Sequence, residues 1–264
     1  MPLGDFERET LRLLAANRNP DSFVGGATVL HQSSGSPRSS RDVDLFHDTV
    51  ESLGQSSERD LATLRSAGYK VSLQQPRETF VRAIVERGGL ATKIEWVFDS
   101  AFRFFPVEPD LELGWRLNFW DAATNKVLAL FGRAEVRDYL DCIYLHQHHL
   151  CFGALAWAAT GKDPGATPEM ILEWARRGTQ YRTEELADLR LSQPVDLKVL
   201  KQIWLTACAD AEALIAQLPP AELGCLYLNT QGHPVCPDPA SPDFAKLARH
   251  FGSVKGAWPR IVQN

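Results

Sequence analysis

Phe23-Val24-Gly25-Gly26-Ala27-Thr28-Val29-Leu30 and, after a polar link, Pro37-Arg38-Ser39-Ser40-Arg41-Asp42-Val43-Asp44-Leu45-Phe46 set two carboxylates behind a glycine turn and an arginine. Asp42 and Asp44 lie two apart, and the intervening and following residues, Val43 and Leu45, are apolar. Side chains two apart share one face of a strand, so both carboxylates project together while Val43 and Leu45 turn to a core. Two like charges on one face repel, and a cation between them relieves the repulsion. The Gly25-Gly26 turn supplies backbone N–H groups at the start of a helix, which receive phosphate without the use of a side chain. The stretch therefore reads as a phosphate-handling, metal-binding site. Without the glycines, a bare Asp-x-Asp reads more readily as a solvated strand end.

The flanking sequence extends this into a mixed fold. Asp5 to Asn17 carries a helical apolar stripe that Asn19-Pro20-Asp21-Ser22 ends. Residues 27–32 open a helix, 41–46 form a strand, and 57–67 form a second helix. Strands are expected at 69–73, 79–86 and 90–98, the last two joined as a hairpin by Arg87-Gly88-Gly89, with a further strand over 113–119. From Asp121 helical patterns take over, at 121–131, 133–149, 151–160, 167–177 and 195–217. A small hairpin around Gln231-Gly232-His233 and a closing helix at 241–250 complete the reading. The fold class is α+β: an α/β core over 1–120 and a mainly helical part over 121–264.

With 264 residues, 44% hydrophobic and 23% charged, the chain can bury a sizeable core in one large domain or two modest ones. A net charge of -5 excludes bulk electrostatic coating of nucleic acid, which uses strongly basic domains, but leaves room for a local basic groove. No apolar run is long enough to span a membrane and no leader pattern opens the chain, so a cytoplasmic location is expected. Five scattered cysteines form no C-x-x-C pair and read as packed thiols rather than a disulfide framework or zinc site.

Further residues could join the chemistry. Glu95, in Lys93-Ile94-Glu95-Trp96, either presents a third carboxylate beside the aspartates or pairs with Arg82 across the hairpin. Three carboxylates suit Mg2+, which takes oxygen ligands in an octahedral shell. Lys126, in the apolar run Asn125 to Phe131, is either a point charge for a triphosphate or an exposed helix lysine. Asp138 and Asp141 share a helix face near Arg133 and Arg137, and intrahelical ion pairs are the plainer account of them. The Tyr144 to His149 run is set aside as a metal site because its histidines point several ways around a helix. Trp174-Ala175-Arg176-Arg177 with Arg182 is a candidate basic patch, or a face of snorkelling side chains.

Together, Gly25-Gly26, Arg38 to Phe46, Lys126 and Arg133-(x)3-Arg137-Asp138-(x)2-Asp141 resemble the AbiEii/AbiGii toxin family of bacterial nucleotidyltransferases in order and rough spacing over about residues 20–150. The resemblance implies a polymerase-β-like nucleotidyltransferase mixed sheet flanked by helices, followed by a helical C-terminal half. It implies that Gly25 and Gly26 hold nucleotide phosphates, that Asp42 and Asp44 bind Mg2+ or Mn2+, and that Lys126 and Asp138 match the family's phosphate-binding lysine and last acidic motif. Thr28 is the hydroxyl nearest to a serine that related enzymes carry after the glycine turn. Taken with the reading of Glu95 and Arg38 from the residues themselves, the metal set is Asp42, Asp44 and Glu95, the nucleotide set Gly25, Gly26, Thr28, Arg38 and Lys126, and the catalytic set Asp42, Asp44, Glu95, Lys126 and Asp138.

The implied reaction moves a nucleoside monophosphate from an NTP to an acceptor hydroxyl. The implied acceptor is the 3′ end of a tRNA in a toxin-antitoxin or phage-defence setting, with a cognate antitoxin protein as partner. A protein or small-molecule acceptor, or a scaffold of the same fold without turnover, are the alternatives. Neither an R-x4-6-H helix nor a kinase glycine loop with its lysine is present.

Overall fold

The computed structural model describes residues 3–32, 35–40, 42–177 and 180–259. Ser33 and Ser34 of the polar link and Arg41 of the acidic motif lie outside the described residues. The chain begins with α1 (Asp5–Leu14), β1 (Ser22–Val24), α2 (Gly26–Leu30), β2 (Arg38–Ser39), β3 (Asp42–His47) and α3 (Val50–Ser66). Then come β4 (Lys70–Arg77), β5 (Phe80–Arg87), β6 (Leu90–Phe98), β7 (Phe102–Arg103), β8 (Glu108–Asp110) and β9 (Gly114–Arg116). Helices α4 (Phe119–Arg133), α5 (Val136–His148), α6 (Phe152–Ala159) and α7 (Pro168–Arg177) follow. The chain closes with β10 (Arg190–Leu191), α8 (Leu197–Ile215), β11 (Cys225–Leu228), β12 (Ala248–Phe251) and β13 (Ser253–Val254). Among the described residues no helix is long and apolar enough to cross a membrane.

The chain divides into two compact units, one of Met1–Ala101 with Pro106–Ala122, the other of Phe102–Phe105 with Ala123–Asn264. The first unit is built on a seven-stranded mixed sheet in the order β4-β5-β6-β3-β1-β9-β8. Its strands alternate: in β3, Val43, Leu45 and His47 are buried while Asp42, Asp44 and Phe46 are half-buried on the other face. The β5–β6 hairpin turns at Gly88 and Gly89, with φ of 61° and 79°, the positive values a two-residue I′ turn needs. Helix α3 covers the apolar face with Leu53, Leu61 and Leu64. It starts earlier than the apolar stripe predicts because Thr49 and Ser52 form a reciprocal capping box.

Beneath β3 and β6 lies a buried polar network that sequence patterns did not reveal. Arg18 meets Asp60 Oδ1 at 2.6 Å, and Trp96 Nε1 donates to Asp60 Oδ2 at 2.8 Å. Ser22 Oγ receives Arg18 at 2.9 Å and lies 3.0 Å from His47 Nε2. A buried charge persists only when paired and hydrogen-bonded, and each member here finds partners on a different element.

The second unit packs helices around Trp204, Tyr139 and Phe152. Helix α6 is buried on every side, and Gly153 lets it approach α8, where a Cβ would lie 3.0 Å from Ala211 Cα. Two expectations are corrected in this unit. Cys151 and Cys236 form a disulfide rather than packed thiols, a pairing across 85 residues that spacing cannot disclose. Cys142, Cys208 and Cys225 are buried free thiols. The expected closing helix at 241–250 is a short 3-10 turn, Phe244–Lys246, followed by β12, which pairs antiparallel with β11. The reason lies in Leu226 and His250: they pair across the ladder, and His250 Nε2 sits 2.8 Å from the Phe104 carbonyl, so the segment gains more from pairing than from an uncapped helix.

Candidate active site

In the first unit the acidic motif stands in the middle of the sheet. β3 and β6 run parallel in a register that sets Asp42 opposite Lys93 and Asp44 opposite Glu95. All four side chains project from the face opposite Val43, Leu45, Ile94 and Trp96, because residues two apart share a face. The sheet thus brings together three carboxylates whose strands lie far apart in sequence.

The glycine turn is held against this face. Gly25 N–H donates to the Asp44 carbonyl at 3.0 Å, so that amide is committed to the sheet. Gly26 has φ of 63°, and a Cβ there would sit 2.2 Å from Asp44 Oδ2; one on Gly25 would sit 2.5 Å from the Phe46 ring. Any other residue at Gly26 would fill the cradle beside the Asp44 carboxylate.

Glu95 stands opposite Asp44 in the β3–β6 ladder. It lies beside the aspartates, and its Oε1 also accepts from Arg82 Nε at 2.7 Å and stands 3.1 Å from Lys93 Nζ. Lys93 Nζ is also 3.1 Å from Asp42 Oδ2. Burial lowers the Lys93 pKa, and the hydrogen bonds to Asp42 and Glu95 outweigh it, so the ammonium titrates above its ordinary value. Lys93 is the site residue that the sequence reading passed over. Its signal was available, since it precedes Glu95 by two on the same strand face.

The donor set fits a hard divalent cation, because carboxylate oxygens are its preferred ligands, and Gly26, having no Cβ, leaves room for the Asp44 carboxylate beside the turn. Among the described residues no three acidic, imidazole or thiol side chains already converge as a metal cluster, Glu95 being turned to Arg82 and Lys93. Of the other nucleotide candidates, Arg38 is buried on β2, and Thr28 is wholly buried with no hydrogen-bond partner for its hydroxyl.

The second unit holds the remaining candidates as one cluster. Lys126 Nζ on α4 lies 3.2 Å from Asp138 Oδ1 and 3.1 Å from Asp141 Oδ2 on α5, both aspartates fully buried. Arg133 closes on Asp138 with Nε to Oδ2 at 2.7 Å. Burial raises the Asp138 pKa, but the Arg133 hydrogen bond and the Lys126 charge outweigh it, so the carboxyl titrates below its ordinary value. Lys126 is thus neither exposed nor loose: Asp138 and Asp141 both pair with it, and Arg137 meets Glu135 at 2.7 Å.

The helix-end histidines serve packing: His146 Nδ1 accepts the Phe152 amide at 3.2 Å, and the His148 and His149 rings flank Tyr144. The arginine patch on α7 is largely neutralised, Arg176 by Glu212 and Arg177 by Glu173, with Trp174 edge-on to Phe131.

The model of the family described as nucleotidyl transferase AbiEii toxin, type IV TA system, matches residues 12–216. Among solved structures, MenT4, a nucleotidyltransferase toxin from Mycobacterium tuberculosis H37Rv, superposes with a TM-score of 0.54 at 15% identity, over 82% of this chain and 83% of that one. JHP933 from Helicobacter pylori does so with a TM-score of 0.51 at 18% identity, over 81% of this chain and 95% of that one. No curated protein matches the sequence. The fold is that of the polymerase-β-like nucleotidyltransferases.

Proposed function

The chain belongs to the AbiEii family of nucleotidyltransferase toxins, and from that premise we propose that it transfers a nucleoside monophosphate from an NTP to an acceptor hydroxyl at the Asp42–Asp44–Glu95 face. The observation that carries this reading is the parallel β3–β6 register, which opposes Asp44 to Glu95 beside the Gly26 cradle. Asp42, Asp44 and Glu95 would hold Mg2+ or Mn2+, which when bound neutralises charge developing on the attacking and leaving oxygens.

In the transfer, a bond forms from the acceptor oxygen to the α-phosphorus, the bond from that phosphorus to pyrophosphate breaks, and the hydroxyl proton passes to a carboxylate. Glu95 is the carboxylate we assign to orient the acceptor, since Arg82 fixes its position. As the resemblance implies, the Gly25-Gly26 turn is assigned to the nucleotide phosphates. Lys126 and Arg38 are assigned to charge on the phosphates, a role for positioned cations in phosphoryl transfer generally. For Lys126 the assignment is the one the resemblance implies; its ammonium lies between Asp138 and Asp141.

We assign the tRNA 3′ end as acceptor, as the resemblance implies, and a cognate antitoxin as partner, as membership of a toxin-antitoxin family implies. The test is incubation of purified protein with each α-labelled NTP, Mg2+ and total tRNA, with Asp42→Ala/Asp44→Ala as control. Label on RNA that is lost in the control supports the reading and names the nucleotide. Label on protein redirects the acceptor, and no label with an intact fold sinks the tRNA reading in favour of a small-molecule acceptor or a scaffold without turnover.

A further inference from the structure

A face that gathers Asp42, Asp44 and Glu95 needs positive charge, and the structure supplies one from within. Lys93 stands directly across from Asp42 in the β3–β6 ladder, and its ammonium bridges Asp42 Oδ2 and Glu95 Oε1 at 3.1 Å each. Arg82 adds a second cation, but only to Glu95. Lys93 is therefore the group that stands between two of the three carboxylates assigned to the metal, in the place where a divalent ion would share the same oxygens. The side chain is 27% exposed on a flexible four-carbon stem, so it can leave without disturbing the sheet.

We propose that Lys93 is a built-in counter-cation that keeps Asp42 and Glu95 aligned in the metal-free protein and competes with the divalent ion for them. This inference rests on the metal reading of the acidic face given above. Lys93 is on this account a positioning residue. It sets how much metal is needed to load the site: loading requires its ammonium to withdraw, and its return holds the carboxylates in place after the ion departs.

The experiment is Mn2+ titration, read by the paramagnetic resonance of free Mn2+ and by calorimetry, on the full chain without nucleotide. Lys93→Met is expected to tighten Mn2+ binding about fivefold or more, the loss of a unit charge a few ångströms from the ligands. Lys93→Arg, which keeps the charge, is expected to bind as the parent does. Metal-free Lys93→Met should also melt at a lower temperature than the parent and regain the difference with Mn2+, whereas a lysine with only a structural role would leave Mn2+ affinity unmoved. Unchanged or weaker Mn2+ binding by Lys93→Met, with binding still abolished by Asp42→Ala/Asp44→Ala, overturns the competition and leaves the metal reading standing. No Mn2+ binding by either parent or Lys93→Met overturns the metal reading and this inference with it.

Discussion

Gly26 and Asp44 approach so closely that a single methyl on the glycine would come within 2.2 Å of Asp44 Oδ2. The glycine is needed twice over, once for that space and once for its φ of 63°, which side-chain-bearing residues adopt at a cost of about 1–2 kcal/mol. Gly26→Ala is therefore expected to displace the Asp44 carboxylate while leaving the sheet folded. A displacement of about 1 Å at a reacting centre costs on the order of 100-fold in rate. Nucleotidyl transfer and thermal melting measured side by side check this, and an alanine variant with parental activity would refute it.

Lys126 pairs with Asp141 and shares Asp138 with Arg133. Lys126→Met should leave buried negative charge under-compensated, at a cost of about 3–5 kcal/mol in urea unfolding. Adding Asp141→Asn should recover part of that loss. The net fall in the Asp138 pKa gives this cluster a pH signature. Its stabilisation is present above the ordinary carboxylate pKa and drains away as pH drops through the lower value in the folded protein.

His47 makes the first unit acid-sensitive for a different reason. Burial, and next the charge of Arg18, lower its pKa from 6.5 to about 4. Above pH 6.5 the ring is neutral folded or unfolded, so nothing is lost. Between that pH and 4 the unfolded chain takes up a proton that the native one refuses, and stability falls by about 3 kcal/mol in all. Urea melts across this range should show the slope, and His47→Gln should flatten it; an equal slope in the variant would assign the acid sensitivity elsewhere.

The Cys151–Cys236 bridge ties the start of α6 to the chain that follows β11 and closes a loop of 85 residues. A bridge over so long a loop restricts the unfolded chain and contributes about 2–5 kcal/mol. Melting with and without dithiothreitol should show the difference in the parent and none in Cys151→Ser/Cys236→Ser. A parent indifferent to reductant would show that the crosslink contributes nothing to stability.

The sequence by itself determined a good deal. Strict alternation in Asp42-Val43-Asp44-Leu45 placed both aspartates on one strand face, since a period of two leaves no other arrangement once Val43 and Leu45 are buried. The Gly25-Gly26 pair marked the turn because glycine adopts the φ of 63° at Gly26 without steric cost, and the order of motifs identified the family. What lay beyond reach were relations between distant segments. Whether Glu95 stands next to the aspartates or pairs with Arg82 depended on strand order and register: β6 lies between β3 and β5, so Glu95 is opposite Asp44 in the ladder while its carboxylate pairs with Arg82. Lys93 acquired its place between Asp42 and Glu95 only from the parallel pairing of β3 with β6. The Arg18–Asp60–Trp96 network, the disulfide and the strand at Ala248–Phe251 were hidden for the same reason. Local patterns fix which face a side chain takes, but only the folded chain decides what it meets there.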